Sequence, residues 1–341
     1  MQCNFVDLKT FKNGLSKVNG VVLIDKYGRP LLKLRIVVNS ECNFNCFFCH
    51  FEGQNRHVPS LTPEDIGFTA EVAMRVGVMD FKLTGGEPLL RNDITKIIEE
   101  LSLRKPKDLS LTTNGYLLGE LASRLREAGL MRLNVSLHSL KPERYAFITG
   151  TSPKVFNKVI DGLLKAKDAG FSNVKLNMVV TKVNVDEVDD LISFAAKHGF
   201  SLQLIELMPV GYGEVSFDEN YVDLNIVVKQ LMERGRFLGS RVDLHNRPLF
   251  SVDGVKVEIV KNYMNPSFCA GCTTMRLTSD GWLKTCLYKP PSVKVWDLIK
   301  NRDVDGLIKA FQRANELREP NFKDSNTQLK LSNIKVRLRV G

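Results

Sequence analysis

The sequence predicts an α/β protein: an incomplete, TIM-like (β/α)6 barrel over residues 25–210, followed by an α+β extension over residues 211–341. Three observations predict it. Short runs rich in β-branched residues alternate with helical patterns, the mark of βα units and a parallel sheet. Neither GxGxxG after the first run nor GxxxxGK(S/T) occurs, which argues against dinucleotide-binding and P-loop folds. The alternation then breaks after about Gly211.

Taken in order, the strand candidates are residues 34–38, 81–83, 109–112, 132–136, 174–180 and 202–205. Between them, Thr62 and Pro63 with Asp65 read as a capped helix start. Ile94, Ile97, Ile98 and Leu101 recur at helical spacing, as do Leu118, Leu121, Leu125 and Ala128, and then Val188, Leu191, Ile192 and Ala195. Such stripes face a core and carry no chemistry. The extension reads as a loop, a helix around 224–234, a two-stranded stretch at 249–260, a hairpin at 275–284 and two closing helices. Residues 323–326 read as loop before a basic strand-like run.

Lysine and arginine number 48 against 38 aspartates and glutamates, a formal net charge of +10. The excess favours a polyanionic partner such as a nucleotide phosphate, although a solvated face accounts for most such residues. The basic residues are spread along the chain rather than interleaved with aromatics, which argues against nucleic acid as that partner. No stretch approaches the ~20 apolar residues of a membrane span, and the opening segment lacks the regions of a signal peptide, so a cytoplasmic chain with no membrane partner is expected.

The seven cysteines are more telling than the charge. Cys42, Cys46 and Cys49 form C-x3-C-x2-C; Cys269, Cys272 and Cys286 form C-x2-C-x13-C; Cys3 stands alone and is read as incidental. In a reducing cytosol this grouping points to metal rather than disulfides. A [4Fe–4S] cluster normally takes one thiolate per iron, so three cysteines leave one iron open to a ligand such as the amino-carboxylate of S-adenosylmethionine. The alternative is a structural zinc site completed by His50 or His57.

The other unusual residues fall where barrel strands end, at the mouth on which βα loops converge. The first cysteine group follows the first strand, and Thr84-Gly85-Gly86-Glu87-Pro88 follows the second. Thr113-Asn114-Gly115 ends the third, Ser136 the fourth, and Glu206 with Met208 the sixth, while Lys175 and Asn177 lie on the fifth. Lys82, Lys175 and Arg35, on strands expected to be buried, are costly to leave unpaired. Thr113 and Ser136 could equally cap strand ends, Met208 could pack in the core, and Glu206 could orient an arginine or lysine.

Cys42-Asn43-Phe44-Asn45-Cys46-Phe47-Phe48-Cys49 resembles the signature loop of radical S-adenosylmethionine enzymes. The likeness extends to the GTP 3′,8-cyclase family of molybdenum cofactor biosynthesis, through Lys82 to Arg91, Thr112 to Leu118, Asn134 to Leu137, Ile148-Thr149-Gly150 and Ile205 to Pro209. Phe268 to Cys272, Met275 to Gly281 and Cys286-Leu287 are similar to that family's substrate-side cluster.

The resemblance implies two [4Fe–4S] clusters, on Cys42, Cys46 and Cys49 and on Cys269, Cys272 and Cys286, the second with an open iron that meets the guanine ring. It implies S-adenosylmethionine beside Phe48, Gly86, Ser136 and Met208, and GTP held by Arg35, Lys82, Thr113, Lys175, Thr274 and Arg276. A 5′-deoxyadenosyl radical would take the C3′ hydrogen of GTP, and C3′ would close onto C8 to give 3′,8-cyclo-7,8-dihydro-GTP. No side chain is assigned as a catalytic acid or base. An electron donor, a homodimer and a downstream cyclic pyranopterin monophosphate synthase are the implied partners. The sequence departs from the bacterial pattern: Gln203 replaces a nucleotide-contacting arginine, Thr273-Thr274 an Asn-Arg pair and His138 an aspartate, and the chain lacks paired terminal glycines. Gln203's run, Leu202 to Leu207, and Cys49-His50-Phe51-Glu52-Gly53 look like the archaeal branch. Two rival readings are a radical enzyme maturing a peptide or another cofactor, and a non-enzymatic metal protein binding nucleic acid.

Overall fold

Six βα units fold because each apolar run can bury only one face alone, and a parallel sheet with helices packed on it satisfies both. The computed structural model describes residues 22–53 and 59–320. The parallel strands are β1 (Lys33–Val37), β2 (Asp80–Thr84), β3 (Asp108–Thr113), β4 (Arg132–Ser136), β5 (Val174–Val180) and β6 (Ser201–Glu206). Each lies within two residues of its predicted position. The intervening helices are α1 (Pro63–Arg75), α2 (Ile94–Ser102), α3 (Leu118–Glu127), α4 (Pro142–Thr149), α5 (Pro153–Asp168) and α6 (Val188–His198). The predicted stripes are buried, Leu121 only partly. Thr62 and Asp65 form the predicted capping box, with Asp65 N–H donating to Thr62 Oγ1 at 3.2 Å and Thr62 N–H to Asp65 Oδ2 at 3.0 Å.

Beyond residue 210 come α7 (Tyr212–Val215), α8 (Phe217–Asn220), α9 (Asn225–Arg234), β7 (Arg236–Arg241), β8 (Arg247–Val252), β9 (Val255–Val260), α10 (Pro266–Ala270), β10 (Thr274–Leu277), β11 (Trp282–Lys284), β12 (Val293–Lys294), α11 (Trp296–Lys300) and α12 (Val304–Glu316). The expected two-stranded stretch is three-stranded. β7 was not anticipated because Arg236, Gly239 and Arg241 break its apolar alternation and a register shift bulges it between Phe237 and Gly239.

Among the described residues, the strands form one sheet in the order β12-β11-β10-β1-β2-β3-β4-β5-β6-β9-β8-β7. The extension therefore continues both edges of the six-stranded sheet. β10 lies parallel to β1 and β9 parallel to β6, with antiparallel strands outside each. This brings Arg35 opposite Arg276 and Gln203 opposite Glu258. Cys3, His57 and residues 323–326 lie outside the described residues.

Candidate functional site

The loop leaving β1 carries the first cysteine group and is clamped from three sides. Asn45 N–H donates to the Thr149 carbonyl at 2.9 Å, and the Cys49 carbonyl accepts from Tyr212 N–H at 2.8 Å. Phe44 is buried edge-on against Tyr116 and Tyr145. Cys42 is exposed, whereas Cys46 and Cys49 are half-buried. Burial, then the charges of Cys49 and Cys42, push the Cys46 thiol up, so the three sulfurs sense one another.

The loop after β2 packs backbone to backbone on this one. Gly86 N–H donates to the Asn39 carbonyl at 3.0 Å and Glu87 N–H to the Glu41 carbonyl at 2.6 Å. A Cβ on Gly86 would sit 2.0 Å from Glu41 O, and one on Gly85 2.2 Å from Asn39 Oδ1. Glycine is therefore required by the close approach of the two loops. Replacing Gly86 with alanine should force them apart at a cost of about 1–3 kcal/mol, read as a lower urea midpoint; an unchanged midpoint would show that the loops yield freely. Glu87 accepts from Thr113 Oγ1 at 2.7 Å, Asn114 N–H at 2.6 Å and Leu89 N–H at 3.0 Å. Burial pushes its carboxyl up to about 7 against the pull of those donors.

The second cysteine group joins α10 to the loop after β11. Its backbone is gripped from the other end of the chain. Arg29 Nη1 donates to the Cys269 carbonyl at 3.0 Å, and Arg318 Nη2 to the Cys272 carbonyl. Both arginines rest on the buried carboxylate of Asp25, at 2.8 and 3.2 Å. His245 stacks on Phe268 with ring centroids 4.2 Å apart. Burial opposes ionisation of Cys272, but His245 and Arg318 hold its thiol well below the usual value.

A cavity of about 230 Å³ runs along the sheet, lined by Cys269, Cys272 and Cys286 and by the strand residues Arg35, Lys82, Lys175, Thr274 and Arg276. Met208 lines it as well, as does His50, the neighbour of Cys49. Cys42, Cys46 and Cys49 themselves, with Phe48, Gly86 and Ser136, lie outside its lining. Thr113 is also outside, because its hydroxyl is committed to Glu87. Phe48 packs edge-on against His138, whose imidazole burial pushes down to about 3. Ser136 ends β4 opposite Asn177.

Glu52 connects the two cysteine regions. Three residues after Cys49, it accepts from Arg35 Nη1 at 3.0 Å and Thr84 Oγ1 at 3.0 Å and lies 3.8 Å from Arg276 Nε. Burial would push its carboxyl up, but Arg35, His50 and Arg276 hold it well below the usual range. Phe51 and Glu52 both adopt φ of 51°, left-handed backbone that non-glycine residues rarely occupy. Glu206 accepts from Tyr221 Oη at 2.9 Å and Tyr263 N–H at 2.7 Å, so it fixes the loop after β9.

Three thiolates suit a four-iron cluster with one iron left open, and His57, a ligand expected of the zinc alternative, lies outside the described residues. Among the described residues no three His, Cys, Asp or Glu side chains form a group able to hold one metal ion, and His50 Nδ1 already accepts from Glu52 N–H at 3.0 Å. A four-iron cube takes its thiolates on separate irons, so its trio is more widely spaced than the ligands of a single ion. Asn177 Oδ1 and Arg276 Nε are buried without a hydrogen-bond partner among the described residues, as suits groups that meet a ligand.

Residues 36–195 match the Radical SAM superfamily and residues 200–324 match Molybdenum Cofactor Synthesis C. A probable GTP 3′,8-cyclase of Pyrobaculum aerophilum is 52% identical over 307 residues, covering 89% of this chain and 98% of that protein. The chain belongs to the GTP 3′,8-cyclase family. A second member, from Sulfurisphaera tokodaii, is 43% identical over 88% of this chain and 97% of its own length. Streptococcus suis SuiB bound to S-adenosylmethionine matches 89% of this chain and 71% of its own with a TM-score of 0.61 at 17% identity, a likeness of fold alone. Membership of the radical SAM superfamily brings with it S-adenosylmethionine and a [4Fe–4S] cluster. No described helix is long and apolar enough to cross a membrane.

Sequence reasoning missed Asp25, Arg29 and Arg318, and also Arg241, Arg247 and Glu258, which surround Lys175. None of these sits in a motif, and their partners are distant in sequence. Glu52 alone had a signal, in the run that follows Cys49.

Proposed function

We propose that this GTP 3′,8-cyclase family member converts GTP to 3′,8-cyclo-7,8-dihydro-GTP, the first step of molybdenum cofactor biosynthesis, in the cytoplasm. The observation that carries the reading is the cavity in which a three-cysteine group meets a wall of half-buried cations, Arg35, Lys82, Lys175 and Arg276. A triphosphate is the ligand such a wall suits, since Arg offers a fork of donors and Lys a point charge.

Cys42, Cys46 and Cys49 would hold the first cluster, with Phe48, Gly86, Ser136 and Met208 around S-adenosylmethionine. A cluster held there would supply one electron for reductive cleavage of the sulfonium, giving methionine and a 5′-deoxyadenosyl radical. Cys269, Cys272 and Cys286 would hold a second [4Fe–4S] cluster, with the guanine against it. Arg276, opposite Arg35 and beside Glu52, fixes the nucleotide so that C3′ can lose its hydrogen and close onto C8. Thr113 acts through Glu87, and Thr274 lines the cavity beside Arg276. An electron donor, a second copy of the chain and a downstream pyranopterin synthase are the partners this reading entails.

The test is anaerobic incubation of the reduced, reconstituted protein with GTP and S-adenosylmethionine. 5′-Deoxyadenosine and a cyclised nucleotide should form together. 5′-Deoxyadenosine with GTP unchanged would point to another substrate, such as a peptide.

A further inference from the structure

Besides Arg35, Lys82, Lys175 and Arg276, the cavity is lined by two arginines from the extension hairpin. Arg241 on β7 and Arg247 on β8 are cross-strand partners. One strand further in, Glu258 on β9 lies opposite Leu249, and Gln203 on β6 lies opposite Glu258. The hairpin thus delivers both guanidiniums to the wall where Gln203 stands.

Glu258 receives them together with Lys175, at 2.6 Å from Lys175 Nζ, 2.9 Å from Arg247 Nη1 and 3.4 Å from Arg241 Nη1. Arg247 and Lys175 also press on the buried Lys82 amine, which burial and its cationic neighbours hold well below its ordinary value. Three cations therefore gather on the Glu258 carboxylate with Lys82 close by, and another carboxylate in reach, Asp243, takes Arg241 at 3.3 Å. Buried charge in excess of its counter-charge is costly unless a ligand supplies the difference. Arg247 Nε is buried with no hydrogen-bond partner among the described residues, a donor left over for such a ligand. The floor lies near the start of β5, whereas the first cysteine group leaves the C-terminal end of β1. A nucleotide with its base toward the second cysteine group would extend its phosphates toward this floor.

We propose that Arg241 and Arg247, aligned by Glu258, bind the terminal phosphates of the nucleotide and make this chain select a nucleoside triphosphate over its monophosphate. They supply from the hairpin the two cations that Gln203 and Thr274 do not. The inference rests on the GTP reading above.

Equilibrium binding of GTP, GDP and GMP to the reconstituted protein tests it. The wild-type chain should bind them in the order GTP, GDP, GMP. Arg241→Ala, a half-exposed position whose loss leaves Glu258 paired, should weaken GTP about tenfold and GMP less than about twofold, the worth of one charge-assisted contact. Arg247→Lys, which keeps the charge and loses the fork, should narrow the same GTP-to-GMP ratio by a smaller factor. Equal weakening of all three nucleotides, or no change in GTP binding, in Arg241→Ala would overturn the assignment while the wild-type product assay still stands. A wild-type chain that binds no guanine nucleotide would sink both readings.

Discussion

Glu258→Gln should destabilise the fold by about 3–5 kcal/mol, the cost of leaving buried cations without their counter-charge. Glu258 is 1% exposed and is the carboxylate shared by Lys175, Arg247 and Arg241. Burial alone would push its carboxyl up; Lys175 and Arg247 outweigh that and hold it well below its ordinary value of 4.5. A depressed folded-state pKa contributes stability that is present above the unfolded value and lost as pH falls through the folded one. Wild-type stability should therefore decline below about pH 4.5, and the variant should show a shallower acid slope. Urea midpoints measured across pH 3 to 7 check both parts. A variant within about 0.5 kcal/mol of wild type at neutral pH would mean that solvent or neighbouring groups already compensate these cations.

Iron content should separate the two cysteine groups. Two four-iron clusters give about eight irons per chain after anaerobic reconstitution, and Cys46→Ser or Cys269→Ser should each leave about four. The variants should then differ in chemistry. Cys46→Ser should form no 5′-deoxyadenosine, whereas Cys269→Ser should keep the cluster that cleaves S-adenosylmethionine and lose the cyclised product. Zinc in place of iron in the wild-type chain would defeat the enzyme reading. Four irons in the wild-type chain, untouched by Cys269→Ser, would confine cluster chemistry to the first group.

The parts of the site legible in the sequence were those written in local spacing. Cys42, Cys46 and Cys49 fall within one loop, and Gly85-Gly86-Glu87-Pro88 within another; the structure adds that these loops touch, with Gly86 against Glu41. Lys175 was legible as a buried cation needing a partner, but the partner was not, since Glu258 lies 83 residues away. Thr113 illustrates the reverse case. The resemblance implied a substrate contact and its position left a strand-end cap open as well; that its hydroxyl donates to Glu87 is something only packing shows.

By itself the sequence determined the six βα units, the capping of α1 and the two cysteine trios, because period, cap chemistry and ligand spacing are properties of neighbouring residues. Only the tertiary structure decided that the extension continues the sheet on both edges, with β9 beside β6 and β10 beside β1. It likewise decided that Asp25 holds Arg29 together with Arg318, and Glu258 its three cations. The reason is physical: a charge pair between remote strands has no period, and which carboxylate meets which cation is fixed only when burial of apolar faces sets the strand order.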